Sequence, residues 1–517
     1  MASTWLPGPR AHPLPLIALC ALAGLIGGAL AALINPLVLI GLVVAAPLGL
    51  WLIGSVPRAL FALVVVIGIL PRFALPARLG FTPTFLDLAL VGLAVAWALH
   101  QLGVRRDLPL RRTPISVPVL LLALIALATF IVGLPNGALT PLVLRRFAEL
   151  VLSLLMSLLI VAVLPDLSAQ EQLVRWMLLI GALSAAIGIV LYVIPDDLAI
   201  RALSALRPFG YPTGPGVLRF IRDDPALMQR ATGLWIDPNA FGGYLLVAGA
   251  LGLPQLFSPR PVMRRGLVGL CLLLIGGALV LTVSRGAMLG FALVVGLMGV
   301  LRYRRLLILM AIVLTLALVL PQTRELVQHF AEGFQGRDLA TQMRFGEYKD
   351  ALRLIERYPA LGVGFVGAPD VDLYIGVSSM YLLMAQQMGL LGVAIFASVI
   401  VALFASAARA WPAIARDSRA AAVFLGAHGA VVGAMFSGIF DHYFFNIDFH
   451  NSVTLFWMMI ALAVSSQLLE KGETVVGRSD PFEHAIPRLA GASRRAADVA
   501  REPMRGYTFS SPTYTGR

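Results

Sequence analysis

Residues 267–301 read LVGLCLLLIGGALVLTVSRGAMLGFALVVGLMGVL. One membrane crossing takes about 20 residues, so this run is too long for a single helix and too apolar for a soluble segment. It divides at Ser284-Arg285-Gly286 into the stretches Leu267–Val283 and Ala287–Leu301. Two spans therefore meet at Arg285, which places a guanidinium at or near the bilayer surface. Ionisable groups are costly there and are by default functional.

The rest of the chain agrees. Of 517 residues, 59% are hydrophobic and 13% charged, with a mean hydropathy of +0.87. That composition belongs to a polytopic membrane protein. The formal charge of +13 is carried almost wholly by arginine, since Lys349 and Lys471 are the sole lysines. Nucleic acid is not implied, because most of this charge falls in short inter-span loops and the tail, where topology explains it. Cys20 and Cys271 both lie in apolar runs, which excludes a disulfide framework or a zinc site built on them. Leu14–Ile34 reads as a first anchor, not as a cleaved signal.

Apolar runs mark about fourteen candidate spans by the length criterion. The first lie near 14–34 and 37–55, and a third at 57–70 is short enough to be re-entrant. The expectation is an all-α bundle of about 12–14 transmembrane helices carrying a large, partly helical external loop. It divides into N-terminal spans (1–194), an external loop (195–239), spans around the Ser-Arg-Gly junction (240–320), a large external loop (321–379), C-terminal spans (380–469) and a basic tail (470–517). Arginine-rich loops at 105–112, 260–265, 302–305 and 409–419, with the tail, all fall on one side when spans alternate. The positive-inside rule makes that side cytoplasmic, together with both termini.

The opposite side collects the polar chemistry. Arg219, Arg222 and Arg230 precede Gly233-Leu234-Trp235-Ile236-Asp237-Pro238-Asn239. Outward arginines oppose the topological bias. They either pair with Asp223, Asp224 and lipid phosphates or form a site for a phosphorylated ligand, which the guanidinium fork suits. Asn239 reads as an N-cap of the following span. In the second loop, Phe345, Tyr348, Leu352 and Ile355 recur at helical spacing between Leu339 and Tyr358, with Arg344 one turn before Tyr348. Tyr358-Pro359-Ala360-Leu361-Gly362-Val363-Gly364-Phe365 then ends the helix. This segment either caps the bundle or forms a lid over a cavity. The hairpin Asp441–Asn451 carries two His, two Asp and four aromatics. Its aromatics suit an interfacial belt. Asp441-His442 offers a carboxylate beside an imidazole, a pattern suited to proton transfer. His428, in mid-span, reads as a buried, satisfied histidine. Asp370-Val371-Asp372 is a carboxylate pair able to hold a divalent ion, but nothing else nearby supports a metal. Nucleotide-binding glycine loops and a His-Glu-x-x-His helix are absent, and no cofactor is implied.

These pieces together resemble the O-antigen ligase and O-antigen polymerase superfamily of bacterial envelope enzymes. The similarity runs from about Arg230 to Leu469. It rests on the Gly233–Asn239 turn, the Ser-Arg-Gly junction, Arg344 with the Tyr358–Phe365 run, and Tyr381–Gly392 ending Gly389-Leu390-Leu391-Gly392. The resemblance implies a C-type glycosyltransferase-like, metal-independent, inverting transfer at the outer leaflet of the bacterial inner membrane. The donor would be a glycan on undecaprenyl pyrophosphate and the acceptor a glycan or lipid. On this reading Arg285, Asp441 and His442 are the catalytic candidates, with His442 the acceptor-activating base and Asp370, Asp372 and Glu347 the alternatives to it. Arg230, Arg344, Arg219, Arg222, Ser284, Tyr348 and Ser378 are the substrate-binding ones. One departure matters. Ligases of this group carry a His-Asn pair where this chain has Ser378-Ser379 before Met380-Tyr381-Leu382, which favours a polymerase or a divergent member over a strict ligase.

The rival class is a transporter or flippase of an anionic lipid-linked molecule. Transporters show inverted repeats and polar midplane residues, whereas the polar groups here concentrate on one face. The topology is open to a direct check by cysteine labelling in intact cells. Positions in 195–239 and 321–379 are expected to react with an impermeant reagent, and positions in 258–265 and 408–419 to be protected. The reverse pattern would put the donor on the wrong leaflet.

Overall fold

A computed structural model of the chain describes residues 47–75, 82–103, 108–319, 327–328, 330–332, 335, 339–367, 369 and 377–471. The described helices in chain order are α1 (Pro47–Ile53), α2 (Val56–Ile69), α3 (Phe85–Leu102), α4 (Ser116–Val132), α5 (Pro141–Val163), α6 (Leu167–Val193), α7 (Asp196–Ser204) and α8 (Pro238–Gly252). There follow α9 (Arg265–Leu281), α10 (Arg285–Leu301), α11 (Arg305–Val319), α12 (Leu339–Arg357), α13 (Met380–Ile414), α14 (Ser418–Phe440) and α15 (His450–Gln467). Two-residue strands, Arg219–Phe220 and Gln229–Arg230, pair antiparallel. The protein is a polytopic all-α membrane protein.

Apolar residues cover both faces of these helices, as a membrane requires. On α4, Val119, Leu122, Ala126 and Phe130 are buried while Val117, Leu120, Leu124, Leu127 and Ile131 are exposed. An outward leucine stripe costs nothing against lipid chains. Helix α15 is the opposite case, with every residue from His450 to Gln467 buried. Its polar side chains tie it to neighbours: Ser153 and Thr454 hydroxyls lie 2.8 Å apart, Gln170 donates to the Ser465 carbonyl at 3.0 Å, and Gln467 reaches His428 Nε2 at 2.9 Å. Such bonds hold helices together where lipid removes the hydrophobic drive between them. His428 is satisfied as expected, its Nδ1 sharing a 2.8 Å contact with the Phe424 carbonyl.

Among the described residues, six helices are long and apolar enough to cross a membrane, and a seventh candidate is the pair α1–α2, bent by 116°. That bend bears on the run at 57–70, which is half of a broken or re-entrant pair. Four shorter apolar helices include α4, α9 and α10. The expected span at 14–34, most of that at 37–55, and the tail at 472–517 lie outside the described residues. The arginine-rich loops at 260–265, 302–305 and 409–419 lie at one end of the bundle. Arg175 donates to the Val262 carbonyl at 2.8 Å, Arg302 to Ala415 at 3.3 Å, and Arg419 to Glu171 at 2.8 Å. Helices α8, α10 and α14 run from this end to the other, where Asp237, Arg285 and Asp441 sit.

Helix α13 is broken at Gly389, whose φ of 66° and ψ of −177° interrupt the turn. A break inside a span strands backbone groups away from water, and each must find a partner. The Pro359–Gly364 segment supplies them. Val363 and Gly364 donate to the carbonyls of Gln386 and Gln387 at 2.8 and 3.0 Å, while Leu390 and Leu391 donate to Pro359 and Ala360 at 2.7 and 3.4 Å. The Gly-bearing run that follows α12 is therefore an interlock with α13, which decides for a cap and against a free lid. A Cβ on Gly389 would lie 2.2 Å from the Ala360 carbonyl, and one on Gly362 would lie 2.4 Å from that of Gln386. Gly389→Ala is expected to cost roughly 1–3 kcal/mol from backbone conformation alone, with the clash in addition. The measurable outcome is a lower melting temperature of purified protein and a smaller folded yield.

Candidate functional site

The second helix break builds the site. Between α9 and α10, Val283 adopts φ 52°, and Thr282 and Ser284 are buried. The last carbonyls of α9 lack helical partners. They are met from the first loop, with Ala231 donating to Leu281 at 2.8 Å and Arg230 Nε to Thr282 at 2.9 Å. Arg230 also donates to the Asn239 side chain at 2.6 Å. Asn239 is consequently not the N-cap expected from the sequence. Asp237 takes that place, accepting from the amides of Asn239 and Ala240 at 2.9 Å each. Pro238 at the first helical position fixes this, because its preset φ starts the helix one residue after Asp237.

Arg285 opens α10 and faces a cavity of about 360 Å³ that also receives Arg344, Thr341 and Tyr348 from α12 and Ser379 from the start of α13. Leu289, Phe345, Leu382, Ile439 and Phe440 make its walls apolar. Helix α12 is docked above it by two neighbouring side chains. Glu347 accepts from the Ser378 amide at 2.9 Å, and the Tyr348 hydroxyl donates to the Ser378 carbonyl at 3.1 Å. Burial raises the Tyr348 pKa, and Arg344 works against that shift.

Asp441 follows α14, and its carbonyl accepts from the Met380 amide at 3.0 Å. Crowding by the surrounding protein raises its pKa through loss of solvation, and Asp237 adds to this while His442 and Arg344 oppose it. The same loss of solvation lowers the pKa of Arg230, with Asp237 and Asp441 acting to raise it and Arg344 and Arg285 to lower it. Arg230 thus feels Arg285, Arg344, Asp237 and Asp441 together. Phosphate is what three such cations and their fork geometry would accommodate.

Of the residues singled out from the sequence, Arg230, Arg285, Arg344, Tyr348, Ser378 and Asp441 converge. Ser284 lies buried at the break. Arg219 is 3.7 Å from Asp223 and Arg222 is 3.5 Å from Glu332, so both meet carboxylates, and neither lines the cavity. Asp441 and His442 meet through the backbone. Asp441 Oδ1 accepts from the His442 backbone amide at 2.8 Å, because adjacent side chains diverge. The imidazole Nδ1 lies 3.2 Å from the Asn446 amide and its ring against Phe449. Asp370 and Asp372 lie outside the described residues. Among the described residues no group of three metal-ligating side chains assembles.

Sequence reasoning missed Glu347 as the tether of Ser378, and it missed a second polar cluster at the same end of the bundle. There Arg145 bridges Asp87 and Glu149 at 3.2 and 3.0 Å, Arg146 meets Asp448, and His450 is buried beside them. The signal was available, since Arg145, Arg146 and Glu149 interrupt an otherwise apolar run.

Residues 270–397 match the family described as O-antigen ligase. The resemblance to the O-antigen ligase and polymerase superfamily is thereby shown over a segment that contains Arg285, Arg344, Ser378 and the Gly389 break. No curated protein matches the chain.

The raised pKa of Asp441 has a consequence for stability. An acid whose folded pKa exceeds its unfolded value loses stability as pH rises through that window. Asp441→Asn keeps an acceptor for the His442 amide and removes the buried charge. Its melting temperature at neutral pH is expected to equal or exceed that of the parent. The difference should vanish at a pH below the ordinary aspartate range, where both states carry the proton.

Proposed function

We propose that the chain is an envelope glycosyltransferase of the outer leaflet of the bacterial inner membrane, joining glycans carried on undecaprenyl pyrophosphate. The observation that carries this reading is the pairing of Arg285 and Arg344 with apolar walls in one cavity of the O-antigen-ligase-like segment. A polyprenyl pyrophosphate has that same division, with two linked phosphates beside a hydrocarbon chain. The gathering of arginine-rich loops at the opposite bundle end supports an outward-facing site and cytoplasmic termini by the positive-inside rule.

In the transfer, an acceptor hydroxyl attacks the anomeric carbon of the donor sugar from the face opposite the pyrophosphate. The new C–O bond forms as the bond to pyrophosphate breaks, and the configuration inverts. The hydroxyl proton passes to a base. The leaving group departs with added negative charge, which Arg285, Arg344 and Arg230 stabilise. Asp441 is better placed as base than His442. It lies within electrostatic reach of Arg230 and Arg344, and its raised pKa brings it nearer the range a general base needs. Serine at position 378 removes the ligase-type histidine, so a second lipid-linked glycan is the acceptor we favour. The transporter reading expects broken helix ends to face cargo, but those at Gly389 are filled by the backbone of 359–364.

Arg285→Lys separates a clamp from a membrane anchor. An anchor needs only a long cationic side chain, whereas bidentate phosphate binding needs the planar fork. Polymer output is expected to fall on the order of a hundredfold with normal insertion. Asp441→Asn is expected to lose as much, and His442→Ala to retain most activity. Full output from the Arg285→Lys strain would end the clamp assignment, and full output from Asp441→Asn would return the base to His442.

A further inference from the structure

A cavity of about 650 Å³ opens at the same end of the bundle, apart from the Arg285 cavity. Small-molecule sites run to about 300–1,000 Å³, so it is large enough for a ligand. Arg72, Arg145 and Arg146 line it, with Thr84, Ile236 and His450. Among the described residues its lining includes no Asp or Glu. The carboxylates stand behind the arginines. Asp87 and Glu149 hold Arg145, and Asp448 holds Arg146. Arg72 sits 5.4 Å over the Phe449 ring and has no carboxylate ion pair among the described residues. The arrangement orients guanidinium groups toward an empty volume, which a network serving only to tie helices together does not require.

Buried donors without partners point the same way. Both ring nitrogens of His450 and the Nε of Arg146 make no hydrogen bond. The His450 side chain is 8% exposed, and its Nδ1 stands 3.6 Å from Glu149, beyond hydrogen-bonding range. Glu149 Oε2 is unpartnered too, and buried polar groups left unmade are costly, a cost that an anion drawn to the Arg146 guanidinium and a His450 N–H would reduce. The Gly233–Asn239 turn reaches this cavity through Ile236. Ile236, held at φ 65°, lines the second cavity, while the next residue, Asp237, acts electrostatically on both Arg72 and Arg230.

We propose that the cavity lined by Arg72, Arg145, Arg146 and His450 is a second phosphate-type anion site, separate from that of Arg285 and Arg344. A chain that joins two lipid-linked glycans handles two pyrophosphates, and this site would hold the second. The binding claim does not depend on that reading. The same chemistry would take a phospholipid head group.

The test is binding of radiolabelled inorganic pyrophosphate to the full chain in phosphatidylcholine nanodiscs. Two sites per chain are expected. Arg72→Gln should remove one, Arg285→Gln the other, and the double variant both. If Arg72→Gln fails to fold, Arg72→Lys stands in, with affinity at one site expected to drop about tenfold as the fork is lost. A single site that Arg285→Gln abolishes and Arg72 variants leave untouched overturns the proposal. A single site lost in the Arg72 variants upholds it and removes the donor assignment of Arg285 instead. Nanodiscs containing phosphatidylglycerol distinguish the sources. Loss of the Arg72-dependent site there assigns it to a lipid head group, and its persistence, with farnesyl pyrophosphate competing, assigns it to an isoprenyl pyrophosphate.

Discussion

Backbone groups freed where a span is broken or ends must be satisfied by protein, and this constraint organises both the Gly389 break and the α9–α10 junction. At Gly389 four backbone hydrogen bonds join the ends of α13 to residues 359–364. The exchange locks the large loop onto the bundle through its own main chain, so the position of α12 follows from the break. Arg344, Glu347 and Tyr348 are carried to the cavity by that docking. Without Gly389 and Gly362 the two backbones could not approach so closely.

The break before Arg285 follows the same rule with different donors. Here the carbonyls of Leu281 and Thr282 are met by Ala231 and by the Arg230 guanidinium. One arginine thereby does two jobs, ending α9 and bringing charge beside Arg285 and Arg344. The turn that follows Arg230 is shaped by the same demand, since Asn239 is drawn to Arg230 and Asp237 is left to cap α8. Structure and candidate chemistry share residues in this region, so effects on folding and on transfer have to be separated by conservative substitutions.

Charge is handled differently in the two cavities. The first pairs guanidinium groups with apolar walls, and no carboxylate is among its described lining residues. The second has its carboxylates directly behind the arginines, where they hold the side chains in place without lining the volume. Low dielectric makes both arrangements costly unless every group is paired, and the nitrogens of His450 and Arg146 and Oε2 of Glu149 are among those left unpartnered.

Much of this was legible in the sequence. The length of the run 267–301 required two helices and placed Arg285 at their junction, because span length is set by bilayer thickness. The spacing of Phe345, Tyr348, Leu352 and Ile355 gave α12, because helical periodicity is local. The clustering of arginines at alternate loops separated the two ends of the bundle. What tertiary structure decided were the pairings between distant segments. The docking of 359–364 into the Gly389 break and the capture of Thr282 by Arg230 both depend on which backbone groups a helix end leaves unpaired. Nor could spacing show that Arg72, Arg145 and His450 face one volume, since they come from three separate parts of the chain and meet only when the helices pack.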